Sequence, residues 1–214
     1  MKHVHGWAFP DADEFMAAEI KADGTYQAGH LRAALAHVTE WSVAIDGGAH
    51  VGTWARLLGE RFGRVIAVEP SADTYEALCA NLTAFGCVTV EPRRAALGAG
   101  PGRVRMALDG RGAAMKNTGA RYAAPGGDIP VETIDSWILP SLGLLKLDVE
   151  GSEAAALRGA VETLRRCRPI VIFEEKGLGR RYQDGPGAAA RVLTGAGYRL
   201  LQSVKMDHIW GPAA

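Results

Sequence analysis

The sequence predicts an α/β fold built around a largely parallel sheet. Short apolar runs bounded by turn residues alternate with stretches of helical periodicity, as parallel strands joined by crossover helices require. One run, ending at Asp46, passes through glycines straight into a helix. Two later runs end in acids. Glu69 closes one, and Asp148, Glu150 and Glu153 crowd around Gly151 at the end of the other. Charge at the ends of buried strands is costly without a partner, so these strand ends are where a ligand is expected.

Each element has a local reason. Two short helices are expected at about 11–22 and 28–39, an N-terminal helical extension (1–41) with too little apolar surface to fold alone. SVAID (42–46) reads as the first strand and 53–63 as a helix closed by Gly63. A second strand follows at 64–69, then a helix at 71–86 with Ser71 as N-cap and Gly86 beyond its end. CVTVE (87–91) reads as a third strand. The Gly-rich stretch 98–127 is expected to hold one strand, at 103–108, and long mobile loops. LLKLD (144–148) is a fourth strand, and the helix 152–166 carries Leu157, Val161 and Leu164 as an inward stripe. PIVIFE (169–174) suits a strand buried on both faces, and the end of the chain reads as strand, turn, strand. The 214 residues then amount to one domain, 1–214, with its core at 42–210.

Composition narrows the function classes. Apolar residues make up 48% and charged residues 22%, and Lys plus Arg equals Asp plus Glu at 24 each, for zero net charge. Broad nucleic-acid binding normally shows a basic excess and is not expected. Cys79, Cys87 and Cys167 have neither disulfide-framework nor zinc spacing, which fits a reducing compartment. The first residues hold no long apolar run, so a soluble cytoplasmic protein without a membrane partner is expected. Oligomeric state stays open.

The segment AIDGGAHVGTW (44–54) carries the strongest chemical signal. Glycines at 47, 48 and 52 let the chain turn sharply and let a ligand approach its backbone. The helix that follows offers free N–H groups to a negatively charged moiety. Glu69 ends the next strand, where a carboxylate can accept both hydroxyls of a ribose. A ligand-free turn would use the same glycines, but strand, loop, helix and distant acid in register favour an adenosine-containing cofactor. The dinucleotide fingerprint G-x-G-x-x-G does not fit, because matching Gly47 or Gly48 with Gly52 leaves the other glycine over. Asp46-x-Gly48-x-x-x-Gly52 instead suits S-adenosylmethionine (SAM), whose amino group needs an acid beside the loop.

IDGGAHVG (45–52), VIAVEP (65–70), RRAALG (93–98), KLDVEGSE (146–153) and RPIVIFE (168–174) together resemble the FkbM family of SAM-dependent methyltransferases. The resemblance implies a Rossmann-like class I methyltransferase fold, with a mostly parallel seven-stranded sheet, an antiparallel C-terminal strand and helices on both faces. It implies that Asp46, Gly48 and Gly52, with Gly47 and Ala49, cradle the methionine half of SAM. Glu69, with Pro70 and Ser71, would hold the ribose, and Arg94 and Ala95 would lie near the adenine. His50 stands where the family commonly has asparagine. It either changes one hydrogen bond to the cofactor or sets a titratable group near the transferred methyl, and the first is preferred. The acceptor implied is a small molecule, a sugar or other glycosylated compound, methylated on oxygen.

Ligands bind beyond the carboxyl ends of strands in open parallel sheets. Asp148 is therefore expected to face the donor methyl, with Lys146 on the same face of the strand. Three roles compete for Asp148: general base, residue orienting the cofactor, or ligand to a divalent metal shared with Glu174. The first two are preferred, and no metal is expected. Glu150 joins the substrate side, so Asp148, Glu150 and Glu174 form the catalytic set, with Asp148 also touching the cofactor. Glu153 reads as a first-turn acid that suits the helix dipole. His3, His5, His30 and His37 lack partner spacing and read as surface or packing residues, and Asp135 as a helix cap. Met115, Lys116 and Asn117 form a loop able to contact substrate. Rival functions are an RNA 2′-O-methyltransferase, opposed by the zero net charge, and a NAD-binding oxidoreductase, opposed by the loop spacing. A catalytically silent SAM-binding module is opposed by the intact acids.

Overall fold

The computed structural model describes residues 1–20 and 25–213, and it opens on a hairpin that the sequence reading did not expect. Strands β1 (Lys2–Val4) and β2 (Trp7–Phe9) pair antiparallel across His5 and Gly6. Both turn residues have positive φ, 50° and 81°, which matches the twist of a tight two-residue hairpin. Trp7 and Phe9 are buried with Met16, Ile20, Val51 and Ala77. Helix α1 (Glu14–Glu19) starts at Asp13, whose carboxylate accepts the Met16 N–H at 3.0 Å, and α2 (Ala28–Leu35) follows. Both helices are shorter than expected, and residues 21–22 of the first lie outside the described residues.

The core then alternates β3 (Val43–Gly47), α3 (Thr53–Gly59), β4 (Arg64–Val68), α4 (Ala72–Ala84) and β5 (Val90–Arg93). Next come β6 (Ala96–Leu97), β7 (Gly102–Ala107), α5 (Gly110–Ala114), β8 (Tyr122–Pro125) and β9 (Ile129–Glu132). The chain closes with β10 (Leu144–Leu147), α6 (Glu153–Arg158), α7 (Val161–Cys167), β11 (Ile170–Glu174), α8 (Ala188–Gly195), β12 (Tyr198–Val204) and β13 (Asp207–Pro212). The main sheet has seven strands in the order β12-β13-β11-β10-β3-β4-β5. All pairings from β11 to β5 are parallel, and β13 runs antiparallel to both of its neighbours.

Period-two alternation sorts the strands onto two faces. Ile45, Ile66, Leu145 and Leu147 pack with Leu157, Leu164 and Leu193 of α6, α7 and α8. Ala44, Val65, Ala67 and Leu144 pack instead with Leu31, Leu58 and Leu78 of α2, α3 and α4. Each large apolar side chain buried this way contributes about 1.5–3 kcal/mol. The α/β class with helices on both faces is thus present, antiparallel strand included. Among the described residues, no helix is long and apolar enough to cross a membrane.

Three expectations change. The third strand slips to 90–93, because Val65 to Val68 of β4 pair with that stretch and Val88 is left 95% exposed. The Gly-rich stretch is more ordered than loops, since β7 and β8 join a second, four-stranded sheet in the order β6-β9-β7-β8. β7 is the strand expected at 103–108, whereas β8 buries only Ala124, so the periodicity that reveals a strand was missing there. The helix 152–166 is two helices, broken at Gly159 and Ala160. A Cβ at Gly159 would sit 2.0 Å from the Gly98 carbonyl oxygen, so the backbone passes there at glycine distance.

Candidate functional site

The chain leaves β3 for β4 on one side and returns as β10 on the other, opening a crevice at the carboxyl ends of the strands. A cavity of about 370 Å³ lies there. Of the residues proposed from sequence, Gly48, Ala49, His50, Glu69, Pro70, Ser71, Ala95, Asp148, Glu150 and Glu174 line it. Asp46, Gly47, Gly52 and Arg94 do not.

The parallel register explains where Asp46 goes. Lys146 lies directly across from it, and the Lys146 ammonium sits 2.8 Å from Asp46 Oδ1 and donates to the Gly48 carbonyl at 2.8 Å. Asp46 is wholly buried beneath the loop as the counter-ion of Lys146. Burial opposes the Lys146 charge, but Asp46 and Asp148 outweigh it and hold the ammonium above its ordinary range. Gly48 has φ +74°, and a Cβ there would lie 1.9 Å from the Asp148 carbonyl oxygen. The glycine loop therefore crosses directly over the backbone that carries Asp148. Gly52 caps α3 at φ +94° and packs on Leu78, away from the cavity.

Glu69 joins two backbone segments. Its oxygens accept the His50 N–H at 3.1 Å and the Ser71 N–H at 2.9 Å. Burial pushes its carboxyl above the usual range, against the pull of His50 and those N–H groups. Ser71 occupies the N-cap position of α4 without a capping bond from its hydroxyl.

The strand-end acids meet a residue that sequence reasoning missed. The Lys176 ammonium lies 2.7 Å from Glu150 Oε1, 2.9 Å from Glu174 Oε2 and 3.4 Å from Asp148 Oδ1. Burial, then the charge of Asp148, pushes both Glu150 and Glu174 upward. Burial also works against Lys176, but Asp148 and Glu150 overcome it and raise the ammonium well above its ordinary range. In the metal alternative Asp148 and Glu174 share a cation, and here the cation between them is an ammonium. Glu153 opens α6 as expected, but its carboxylate also accepts the Val149 and Gly151 N–H groups at 3.2 and 3.1 Å. It thereby clasps the turn in which Glu150 and Gly151 hold positive φ. Burial lifts its carboxyl to about 7.

His50 is held from behind. Its Nε2 lies 3.0 Å from Asp13 Oδ2 and 2.9 Å from Thr118 Oγ1, and the Thr118 hydroxyl also donates to Asp13. One buried carboxylate from the N-terminal segment so ties the glycine loop to the segment before β8. The same segment adds Phe15, Met16 and Tyr26 to the cavity wall. Burial, then Asp148 and Glu174, raises the Tyr26 hydroxyl to about 12. Among Met115, Lys116 and Asn117 only Asn117 lines the cavity, while Lys116 pairs with Glu14. His30, read as lacking a partner, pairs with Asp207, and Asp135 caps α7 from a distance by accepting the Thr163 N–H at 2.8 Å. Asp13→Ala should lower stability by about 2–3 kcal/mol, the scale for losing a buried carboxylate that accepts several hydrogen bonds. Urea denaturation beside the exposed control Asp11→Ala checks this, and equal effects would dismiss the junction.

Comparison with known proteins agrees with this fold. The family model of the methyltransferase FkbM domain matches residues 46–200. A hexuronic acid methyltransferase, AglP of Haloferax volcanii, is 27% identical over 155 residues, covering 69% of this chain and 62% of that protein. The chain thus spans less than two thirds of that relative's length. The fold is shared with the crystal structure of a methyltransferase FkbM from Methylobacillus flagellatus KT, at TM-score 0.52 and 18% identity over 80% of this chain and 43% of that one. A precorrin-6y C5,15-methyltransferase from Geobacter metallireducens GS-15 gives TM-score 0.52 at 15% identity, covering 97% of this chain and 100% of the other. With most of its length matched by the family model, glycine loop and strand-end acids included, the chain belongs to the FkbM methyltransferase family.

Proposed function

We propose that the chain is a SAM-dependent O-methyltransferase acting on a hydroxyl of a small molecule, with a sugar or other glycosylated compound as acceptor. The observation that carries this reading is the convergence of Asp148, Glu150 and Glu174 on the cavity wall beside the glycine loop. The residues fit the cofactor. Gly48 and Ala49 offer it bare backbone, and Gly48 has no room for a side chain. Glu69 is held by two backbone N–H groups where ribose hydroxyls can donate to its remaining lone pairs. Ala95 and Ser71 complete the wall on that side. Bound SAM supplies a methyl group on a positively charged sulfur, which keeps the bonding electron pair when the methyl leaves.

The chain's own task is alignment and proton removal. Asp148 would accept the acceptor's hydroxyl proton, and the wall around it would hold the acceptor's oxygen for the transfer. Three carboxylates against one ammonium make this wall net negative, which favours a neutral hydroxyl over a carboxylate as the methylated group. The name of the Haloferax relative supports a sugar acceptor, and the alkali stability of the labelled product separates an ether from an ester. In this reading 42–210 is the catalytic core and the N-terminal segment completes its cavity, in one domain. The three free cysteines suit the reducing cytoplasm as its place of work.

Isothermal titration of the EDTA-treated protein with S-adenosylhomocysteine (SAH) tests the reading. One-to-one binding at about micromolar Kd is expected. Glu69→Ala should weaken it by about 10–100-fold, the worth of charge-assisted hydrogen bonds. No binding by folded wild-type protein at millimolar ligand would remove SAM from the site.

A further inference from the structure

Resting on the methyltransferase reading, we infer that Lys176 is a positioning residue of the transfer site. Anchored on Glu150 and Glu174, it keeps the three carboxylates charged and leaves Asp148 free to take the acceptor's proton. The distances divide the cluster unevenly. Lys176 is tight on Glu150 and Glu174, at 2.7 and 2.9 Å, and loose on Asp148, at 3.4 Å. Exposure divides it the same way, since the Glu150 and Glu174 side chains are 9% and 11% exposed and Asp148 is 31% exposed. The two buried acids hold the lysine, and Asp148 keeps an open side toward the cavity.

A proton acceptor must be ionised before it can act, and crowded buried carboxylates tend to take up protons. Asp148 and Glu150 face Lys176 from the turn after β10, and Glu174 faces it from β11. Tyr26 lines the same cavity from the N-terminal segment, Glu153 of α6 shares a smaller cavity with Lys176, and Asp207 of β13 adds negative charge next to Glu174. Lys146, the ammonium on β10, is engaged by Asp46 and the Gly48 carbonyl. Lys146 reaches the cluster only through the charge of Asp148, whereas Lys176 touches all three acids. During transfer the acceptor's O–H bond breaks, its proton passes to Asp148, and the freed electron pair forms the new bond to the methyl carbon. The pair of the breaking carbon–sulfur bond stays on sulfur, and Asp148 later returns its proton to water.

Infrared spectroscopy of the full chain tests this without a known acceptor. The stretch of protonated carboxyl groups is compared between wild type, K176M and K176R through the neutral pH range. K176M is expected to show at least one additional protonated carboxyl at neutral pH, and K176R none. All three proteins carry E153Q, whose amide oxygen can still accept the Val149 and Gly151 N–H groups, so that the Glu153 carboxyl does not contribute. SAH affinity of K176M should stay within about threefold of wild type, less than 1 kcal/mol. Superimposable K176M and wild-type spectra, or an equal new band in K176R, overturn the inference. If K176M does not fold, E150Q/K176M removes one buried anion along with the cation. The same extra band is expected there, and its absence overturns the proposal. Failure of wild type to bind SAH sinks the cofactor reading alone, because the spectra judge Lys176 separately.

Discussion

Asp148→Asn is expected to lower turnover by about 10²–10⁴-fold, the range for loss of a positioned proton acceptor. The amide keeps the shape of the side chain but cannot take the hydroxyl proton. Its backbone is unaffected, so the crossing of the glycine loop over the Asp148 carbonyl survives. SAH affinity should then stay within about threefold. Methyl-labelled SAM with a panel of sugars and uronic acids measures the first quantity, and calorimetry the second. Unchanged turnover would take Asp148 out of the chemistry. A parallel loss of SAH binding would make it a cofactor-orienting residue instead.

Gly48→Ala should have the largest effect on binding. The methyl group would collide with the Asp148 carbonyl, and φ +74° is a conformation that alanine reaches only with strain. Loop and turn must move apart, which disturbs together the acid cluster and the glycine loop proposed to cradle the cofactor. A stability loss of about 3 kcal/mol and a fall in SAH affinity of at least about 100-fold are expected. Gly86→Ala is the control, because φ there is +65° but nothing lies within 4 Å of the added carbon. It should cost about 1 kcal/mol from strain alone and leave binding untouched. Equal outcomes at the two sites would show that the close passage at Gly48 is unimportant.

Much of the cavity was legible because it depends on local pattern. Strands that alternate or run apolar end where glycines and acids begin, and in a parallel sheet those ends converge. Glu69, Asp148, Glu150 and Glu174 could thus be placed around one crevice from their positions in the chain. Lys176 was legible in principle. It follows Glu174 by two residues, so continuing the strand's alternation would have put both on one side. It was missed because E-E-K-G looks like a solvated turn. The hairpin at 2–9 had its signal as well, a His-Gly pair between Val4 and Trp7, but three-residue strands are too short to show a period.

The sequence by itself determined the class of the fold, the place of the glycine loop and the supply of acid at the strand ends. Each of these follows from residues within a few positions of one another. Only the tertiary structure decided the partners. It gave Asp46 to Lys146, gathered three acids on Lys176, and brought Asp13 to His50. Apart from Glu174 and Lys176, which are two residues apart, those pairs join segments separated by tens of residues, and nothing local selects among the many carboxylates and cations available. Strand order and register do the selecting, because they set which strand ends lie side by side and which side chains share a face.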